Sequence, residues 1–424
     1  MSIQTQSLST IKSFQEQRLK DQLVYLQANS PYYKQLFAKH KIEFEKISSI
    51  EDLIQLPTTA KEDFSNHNFD FLCVPKNRII DYTTTSGTTG SPVTIALTEN
   101  DLQRLAYNEE QSFITANGKS SDVYQLMLTL DRQFMAGMAY YLGIRKLRAA
   151  AVRVGPISPQ MQWENIHRFK PTAIVAVPSF ILKLIDYAEA NGIDVNKSGI
   201  ECAICIGEPV RNADLSPNIL AKRIQEKWNL KLFSTYASTE MQTAFTECEH
   251  GKGGHHNPEL LIVEILDDDG KQLRAGEFGE VTITSLGIEG MPLLRYRTGD
   301  VCCYYDEPCA CGRNTIRLSP VVGRKNQMIK YKGTTIFPPS IYDVLSAVPE
   351  VKDYIVEITK SDLGTDEIQI HIALSGSLDA AEQKIKTSLQ SKLRVTPNLS
   401  FVSAQHLQSM RPADSRKPAM ILFR

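Results

Sequence analysis

The chain has 424 residues, 42% of them hydrophobic and 22% charged, with a formal net charge of -1. That length allows two or more domains and a substantial core, and the balanced charge argues against a general nucleic-acid surface. No apolar run approaches the ~20 residues of a membrane span, and the N-terminus lacks the basic-then-apolar pattern of a signal peptide. Eight cysteines in such a chain read as reduced thiols or metal ligands rather than a disulfide framework, which points to the cytoplasm.

The hydrophobic spacing predicts helix over 11–40, with Leu19, Leu23 and Leu26 on one face and a break at Asn29-Ser30-Pro31, because proline disfavours helix in the residue before it. A short helix follows from Ile50 to Pro57 and reads as scaffold. The stretch from Asp81 to Pro92 is Asp-Tyr-Thr-Thr-Thr-Ser-Gly-Thr-Thr-Gly-Ser-Pro. Glycines let the backbone turn tightly against a ligand, and hydroxyls and exposed N–H groups donate to anionic oxygens, so this segment has the chemistry of a phosphate cradle. It lacks the lysine spacing of a P-loop NTPase. A solvated turn is the plain alternative.

Beyond it, 93–97 reads as a strand, 99–113 as a helix and 125–130 as a buried strand. Phe134-Met135-Ala136-Gly137-Met138-Ala139-Tyr140-Tyr141 gathers small and aromatic residues, which suit either a core or the wall of an apolar pocket. Residues 173–177, 200–206 and 231–234 are buried-strand candidates, with helices between them up to Ala190 and over 220–228. Strands alternating with helices predict a parallel α/β sheet, whose ligands bind beyond the carboxyl ends of the strands. Gly207-Glu208-Pro209 and the run Tyr236-Ala237-Ser238-Thr239-Glu240 fall at such ends. From Leu260 the pattern turns to antiparallel strands over 260–266 and 280–286, followed by Tyr296-Arg297-Thr298-Gly299-Asp300. A smaller α+β segment begins near Gly323.

Cys248 and His255, with six residues between them, and Cys309-Ala310-Cys311 flank the β-rich segment. Two pairs of such ligands suit a closed, structural Zn²⁺ site. His250 and His256 are rival nitrogens, Cys302 and Cys303 rival thiols, and four unbridged thiols and imidazoles the alternative.

Taken in order, these motifs give the chain a resemblance to the adenylate-forming enzymes, more narrowly to the phenylacetate–CoA ligase family and its coenzyme F390 synthetase-like relatives. The likeness runs from about Leu19 to the C-terminus. It implies an α/β fold with a large N-terminal adenylation domain over 1–323, carrying a parallel sheet and a β-rich subdomain, and a small mobile α+β domain over 324–424. It implies activation of a carboxylate by ATP and Mg²⁺ to an acyl-adenylate, then transfer to coenzyme A with release of AMP. A cytoplasmic homodimer, with no nucleic-acid or membrane partner, is the expected form.

By this resemblance Thr84, Thr85, Ser86, Gly87, Thr88, Thr89 and Gly90 hold the phosphates, with Thr88 counted among the catalytic residues. Gly207, Glu208, Pro209 and Tyr236 border the adenine, with Ala237, Ser238 and Thr239 beside them. Glu240 holds Mg²⁺, and Asp300 accepts both ribose hydroxyls. Arg313, Arg324 and Lys417 offset developing negative charge, and Gly333 lines the pantetheine path. Phe134, Tyr140 and Tyr141 line an acyl pocket suited to an aromatic or medium-sized acid. The chain departs from the family pattern where Ser91 replaces a lysine, where Asn326 stands in the hinge motif, and where Pro418 follows Lys417. Two other readings therefore stay open: transfer of the acyl group to an amine or carrier protein, and nucleotide binding without turnover.

Overall fold

The computed structural model describes residues 2–85, 93–331, 334–360, 366–375, 378–411 and 420–424. The chain divides into two compact units, Met1–Val321 and Val322–Arg424.

The first unit opens with α1 (Leu8–Asn29), α2 (Pro31–His40) and α3 (Lys61–Asn66). The break between α1 and α2 falls at Ser30, whose hydroxyl accepts from Tyr33 N at 3.3 Å while Pro31 occupies the first helical position, a preferred helix start. A hairpin of β1 (Asp81–Thr84) and β2 (Thr94–Leu97) leads into α4 (Glu99–Thr115). Then come β3 (Val123–Leu126), α5 (Met135–Leu147), β4 (Ala150–Arg153), α6 (Pro159–Phe169), β5 (Ala173–Ala176), α7 (Pro178–Ala190), β6 (Cys202–Cys205), α8 (Ile219–Lys227), β7 (Lys231–Ser238) and β8 (Thr243–Glu247). The β-rich part holds β9 (Gly254–His255), β10 (Leu261–Leu266), β11 (Gly279–Ser285), β12 (Tyr296–Cys302), β13 (Tyr304–Tyr305) and β14 (Arg317–Leu318).

Nine of these strands form one sheet in the order β13-β14-β9-β8-β7-β6-β5-β3-β4. Strands β4, β3, β5, β6 and the first half of β7 are parallel. Side-chain alternation sends Ala173 and Val175 to one face, with Phe113, Tyr140 and Ile144 of α4 and α5, and Ile174 and Ala176 to the other, with Trp163, Ile181 and Ile224 of α6, α7 and α8. Helices on both faces explain why these strands read as unbroken apolar runs. Strands β10, β11 and β12 form a separate antiparallel sheet that packs on α1 through Leu19, Leu23 and Leu26.

Three features differ from the sequence reading. The run from Phe134 to Tyr141 is the start of helix α5, and Ala150–Arg153 is an additional strand at the sheet edge. Strand β7 continues past Ser234 to Ser238, because its second half pairs antiparallel with β8, Thr235 opposite Thr246 and Ser238 opposite Thr243.

The second unit contains β15 (Gly323–Arg324), the hairpin β16 (Ile329–Tyr331) and β17 (Thr334–Ile336), α9 (Pro338–Ser346), β18 (Val351–Lys360), β19 (Asp366–Leu374), α10 (Leu378–Leu393), β20 (Asn398–Phe401), α11 (Ala404–Met410) and β21 (Ile421–Phe423). Its four-stranded sheet, ordered β20-β19-β18-β21, packs Val356, Ile368 and Ile370 against Ile341, Leu345, Ile385 and Leu389 of α9 and α10. Among the described residues no helix is long and apolar enough to cross a membrane.

Candidate functional site

Gly207, Glu208 and Pro209 follow β6, and Tyr236, Ala237 and Ser238 lie on the part of β7 that runs past it, beyond the carboxyl ends of the parallel strands, where open α/β sheets bind ligands. Thr84 and Thr85 stand at the base of the hairpin that carries the Ser/Thr/Gly loop. Thr85 N donates to Val93 O at 3.0 Å, and Val93 N donates to Thr85 Oγ1 at 3.0 Å, so the loop is tied shut at its base. Ser86, Gly87, Thr88, Thr89 and Gly90 lie outside the described residues. Thr84 N donates to Gln133 O at 3.0 Å, which joins the hairpin to the segment between β3 and α5. Arg132 and Gln133 both hold left-handed backbone angles, φ 57° and 56°, an unfavourable conformation for side-chain-bearing residues. Nothing in the sequence marks Gln133 for this part.

Phe134 is the half-buried residue preceding α5. Tyr140 is only 2% exposed and packs 5.8 Å from Phe113. It belongs to the core between α5 and the sheet. Tyr141 is half-buried and lies under the Arg153 guanidinium at 5.0 Å.

After β6, Gly207 turns the chain with φ 75°, a region glycine enters without strain. Glu208 then reaches back to the start of α7. Its two carboxylate oxygens accept from Ser179 N and Ser179 Oγ, each at 2.9 Å, an anion at a helix N-terminus. Pro209 O accepts from Asn218 Nδ2 at 2.8 Å. Pro178-Ser179-Phe180 at the start of α7 and Gly207-Glu208-Pro209 after β6, separate in sequence, thus form one structure.

Tyr236, Ala237 and Ser238 lie on the half of β7 that runs past β6. The Tyr236 hydroxyl donates to Asp300 Oδ2 at 2.8 Å. Burial first, and the Asp300 carboxylate second, push the Tyr236 phenol well above its ordinary pKa, so it stays a donor. The Tyr236 ring stacks on Phe245 with centroids 5.8 Å apart. Asp300 is presented by a distortion in β12. Gly299 adopts φ 79°, its N–H donates to Glu280 Oε1 at 3.1 Å, and Thr298 Oγ1 donates to Val281 O at 2.8 Å while accepting from Asp300 N at 3.1 Å. The Arg297 guanidinium is held by Glu280 at 2.6 Å.

Thr239 and Glu240 occupy the turn between β7 and β8. Ser238 Oγ accepts from Met241 N at 3.3 Å, and Met241 is fully buried, leaving Glu240 half-buried at the turn. Tyr296 lies nearby: after burial, the carboxylates of Glu240, Glu62 and Asp300 are the causes that raise its phenol.

Cys248, His255, Cys309 and Cys311 bring one ligand atom each within 4.8 Å of one another. The Cys248 and Cys309 sulfurs are 3.6 Å apart, and Cys311 Sγ lies 3.5 Å from His255 Nε2. A tetrahedral site with metal–sulfur bonds of about 2.3 Å and a metal–nitrogen bond of about 2.0 Å has edges of about 3.8 Å and 3.5 Å, close to these two separations. His255 Nδ1 faces Thr315 Oγ1 at 3.2 Å, the second contact that orients a ligating imidazole. Burial, then the Arg313 and Arg317 charges, lower the His255 pKa to about 3, which keeps the ring neutral and able to ligate. Two of the rivals are otherwise engaged: His256 Nε2 is bonded to Leu261 O at 2.7 Å, and Cys302 belongs to the core.

Arg313 lies beside the cysteine cluster. Its guanidinium donates to Gln4 Oε1 at 3.0 Å and to Cys311 Sγ at 3.5 Å, so it serves the cysteine cluster. Arg324 is exposed in β15 of the second unit. Gly333 and Lys417 lie outside the described residues.

A family model described as AMP-binding enzyme matches residues 16–289, and one described as AMP-binding enzyme C-terminal domain matches 333–416. The chain is 28% identical over 395 residues to the phenylacetate-coenzyme A ligase of Thermus thermophilus, covering 91% of this chain and 83% of that one. It is 26% identical over 404 residues to the phenylacetate-coenzyme A ligase of Escherichia coli, covering 93% and 86%. Its fold is shared with 2-hydroxyisobutyryl-CoA ligase in the postadenylation state, at a TM-score of 0.86 and 20% identity over 100% of this chain and 91% of that one. Both the sequence match and the architecture therefore lead to one conclusion: the chain belongs to the AMP-binding enzyme family and is similar to its phenylacetate-coenzyme A ligases.

Proposed function

We propose that this chain is an ATP-dependent, AMP-forming acid–thiol ligase that activates an aromatic or medium-sized carboxylic acid and passes it to coenzyme A. The observation that carries this reading is the Tyr236–Asp300 pair, 2.8 Å apart beyond the ends of the parallel strands. It is joined by the similarity to phenylacetate-coenzyme A ligases along 91% and 93% of the chain.

A carboxylate offers several acceptor positions, so Asp300 can take the Tyr236 proton and still accept from ribose hydroxyls. Tyr236 presents an aromatic face to adenine, with Gly207, Glu208 and Pro209 along its edge and Ala237, Ser238 and Thr239 nearby. The hydroxyls and N–H groups of Thr84 to Gly90 take the β- and γ-phosphates. A carboxylate oxygen of the substrate attacks the α-phosphorus, and the bond to pyrophosphate breaks. Lys417 and Arg324 are the cations assigned to the charge that develops. The thiol of coenzyme A, losing its proton, then attacks the acyl carbon. The bond to the adenylate oxygen breaks, and AMP leaves. Gly333 is the residue assigned to the path of the pantetheine arm.

Glu240 is the residue that would hold Mg²⁺, since that ion takes one or two carboxylates together with substrate phosphates; bound there, it would neutralise phosphate charge. Cys248, His255, Cys309 and Cys311 would hold a Zn²⁺ ion whose role is structural, because four protein ligands close its coordination shell. All eight cysteines are free thiols, in keeping with a reducing compartment such as the cytoplasm.

The test is carboxylate-dependent exchange of pyrophosphate into ATP across a panel of acids, followed by addition of coenzyme A, amines or a carrier protein. Exchange that needs an acid, with thioester formed on adding coenzyme A, is the expected result. Consumption of the adenylate by an amine alone would reassign the acceptor, and absence of exchange with every acid would overturn the reading.

A further inference from the structure

Gln4 precedes α1 and is only 2% exposed, and both ends of its amide are bonded. Its Oε1 accepts from Arg313 Nε at 3.0 Å, and its Nε2 donates to Asn257 Oδ1 at 2.7 Å. Each partner stands two residues beyond a member of the cysteine–histidine cluster, Arg313 after Cys311 and Asn257 after His255. Arg313 also reaches the cluster itself, its Nη1 donating to Cys311 Sγ at 3.5 Å. Asn314 completes the tie. Its N–H donates to Gln4 O at 2.8 Å, and its Nδ2 to Gln6 O at 2.9 Å and Thr5 O at 3.4 Å.

A buried amide costs free energy unless both its ends find partners, and an apolar side chain would fill the same place without that demand. The amide instead supplies a fixed span between the two loops that present His255 and Cys311, whose Nε2 and Sγ are 3.5 Å apart. Cys248, His255 and Cys309 are buried, whereas Cys311 is half-buried. An ion held by these four would therefore meet water and competing ligands on the Cys311 side. Three thiolates and a neutral imidazole give a divalent ion a net negative charge, which the Arg313 guanidinium offsets. A charged donor on a ligand sulfur also holds that sulfur in place.

We propose that Gln4 is a positioning residue for the metal cluster: by bridging Arg313 and Asn257 it holds Cys311 against the ion, and so sets how slowly the ion is lost. The proposal rests on the reading of Cys248, His255, Cys309 and Cys311 as a zinc site.

The measurement is the rate at which Zn²⁺-loaded protein gives up its metal to an excess of a chromogenic pyridylazo chelator, beside the melting temperature. It is made on the wild type, Gln4→Ala, Arg313→Gln and the double variant. Gln4→Ala should release zinc about tenfold faster than the wild type, the scale of losing a group that orients a metal ligand. The double variant should be no faster than Arg313→Gln alone, because the bridge is already broken. A merely structural loss would instead multiply with that of Arg313→Gln. A folded Gln4→Ala that keeps its zinc as long as the wild type does, or a double variant in which the two effects multiply, would overturn the proposal while leaving the metal site standing. A wild type that takes up no Zn²⁺ would overturn the reading of the cluster and the proposal with it. If Gln4→Ala does not fold, Asn314→Ala loosens the same segment while keeping Gln4. It should speed release about two- to threefold, and an unchanged rate there overturns the proposal.

Discussion

Tyr236 and Asp300 lie on strands of two different sheets and meet through a 2.8 Å hydrogen bond from phenol to carboxylate. The contact ties β7, the central strand of the nine-stranded sheet, to β12 of the antiparallel sheet at the place where the nucleotide is expected. Asp300 is 7% exposed, and a carboxylate so buried needs hydrogen-bond donors around it.

Removing either partner should weaken nucleotide binding while the fold persists. Asp300→Ala loses a charged acceptor and is expected to weaken ATP by roughly 1.5–3 kcal/mol. Tyr236→Phe keeps the ring and loses the donor, with an expected effect of about 1 kcal/mol. Titration calorimetry with ATP and AMP reads both, and unchanged affinity in Asp300→Ala would remove it from the ribose role.

Protein purified without chelator should carry about one zinc per chain, the stoichiometry of a closed four-ligand site. Cys311→Ser should lower metal content and melting temperature together. Arg313→Gln, which loses the contacts to Gln4 and Cys311, should disturb the metal loop and leave ATP affinity unchanged. Elemental analysis, thermal melts and ATP titration separate these outcomes.

Glu109 is fully buried between α4 and α5, and burial raises its pKa from 4.5 to about 8. The folded chain holds that proton more tightly than the unfolded one, so stability should fall as pH rises from about 4.5 through about 8, by a few kcal/mol in all. Glu109→Gln keeps an acceptor for Asn108 Nδ2, now 2.9 Å from Glu109 Oε1, and removes the proton. Its denaturation curves should match the wild type in acid and be shifted to higher denaturant above pH about 8. Parallel pH profiles in the two proteins would show that the buried carboxyl is not what titrates.

Much of the fold was legible because burial on both faces leaves a plain mark. The strands at 173–176 and 202–205 are unbroken apolar runs, and the break at Ser30-Pro31 is local chemistry. The gathering of Cys248, His255, Cys309 and Cys311 was legible for a similar reason, since a Cys-x-Cys and a Cys/His pair flanking one β-rich segment are the ligand types and spacing of a closed metal site. Arg313 was not: an arginine suits many anions, and its partner Gln4 stands 309 positions away. The burial of Tyr140 was not legible, because a tyrosine on a helix faces either core or pocket, and only the packing of α5 on α4 decides which. The part played by Gln133 leaves no mark at all, because it rests on a backbone angle and a carbonyl.

Lys417→Ala should cut carboxylate-dependent pyrophosphate exchange by ~100-fold or more, the scale of losing a positioned cation in a water-excluded site. Given preformed acyl-adenylate and coenzyme A, the same variant should still make thioester near the wild-type rate. Gly333→Leu should do the reverse, keeping exchange and losing thioester formation. Equal loss of both steps in both variants would show that these residues do not divide the half-reactions.

The central claim, that the carboxylate is activated as an adenylate, is tested most directly by oxygen tracing. The enzyme is given an acid labelled with ¹⁸O in both carboxylate oxygens, with ATP and coenzyme A, and the products are weighed by mass spectrometry. Attack on the α-phosphorus leaves a labelled oxygen bridging carbon and phosphorus, and thiol attack then expels it with the nucleotide. The expected result is AMP carrying label from the acid in proportion to the thioester formed. Label in inorganic phosphate alongside ADP, or thioester formed with unlabelled AMP, would contradict it.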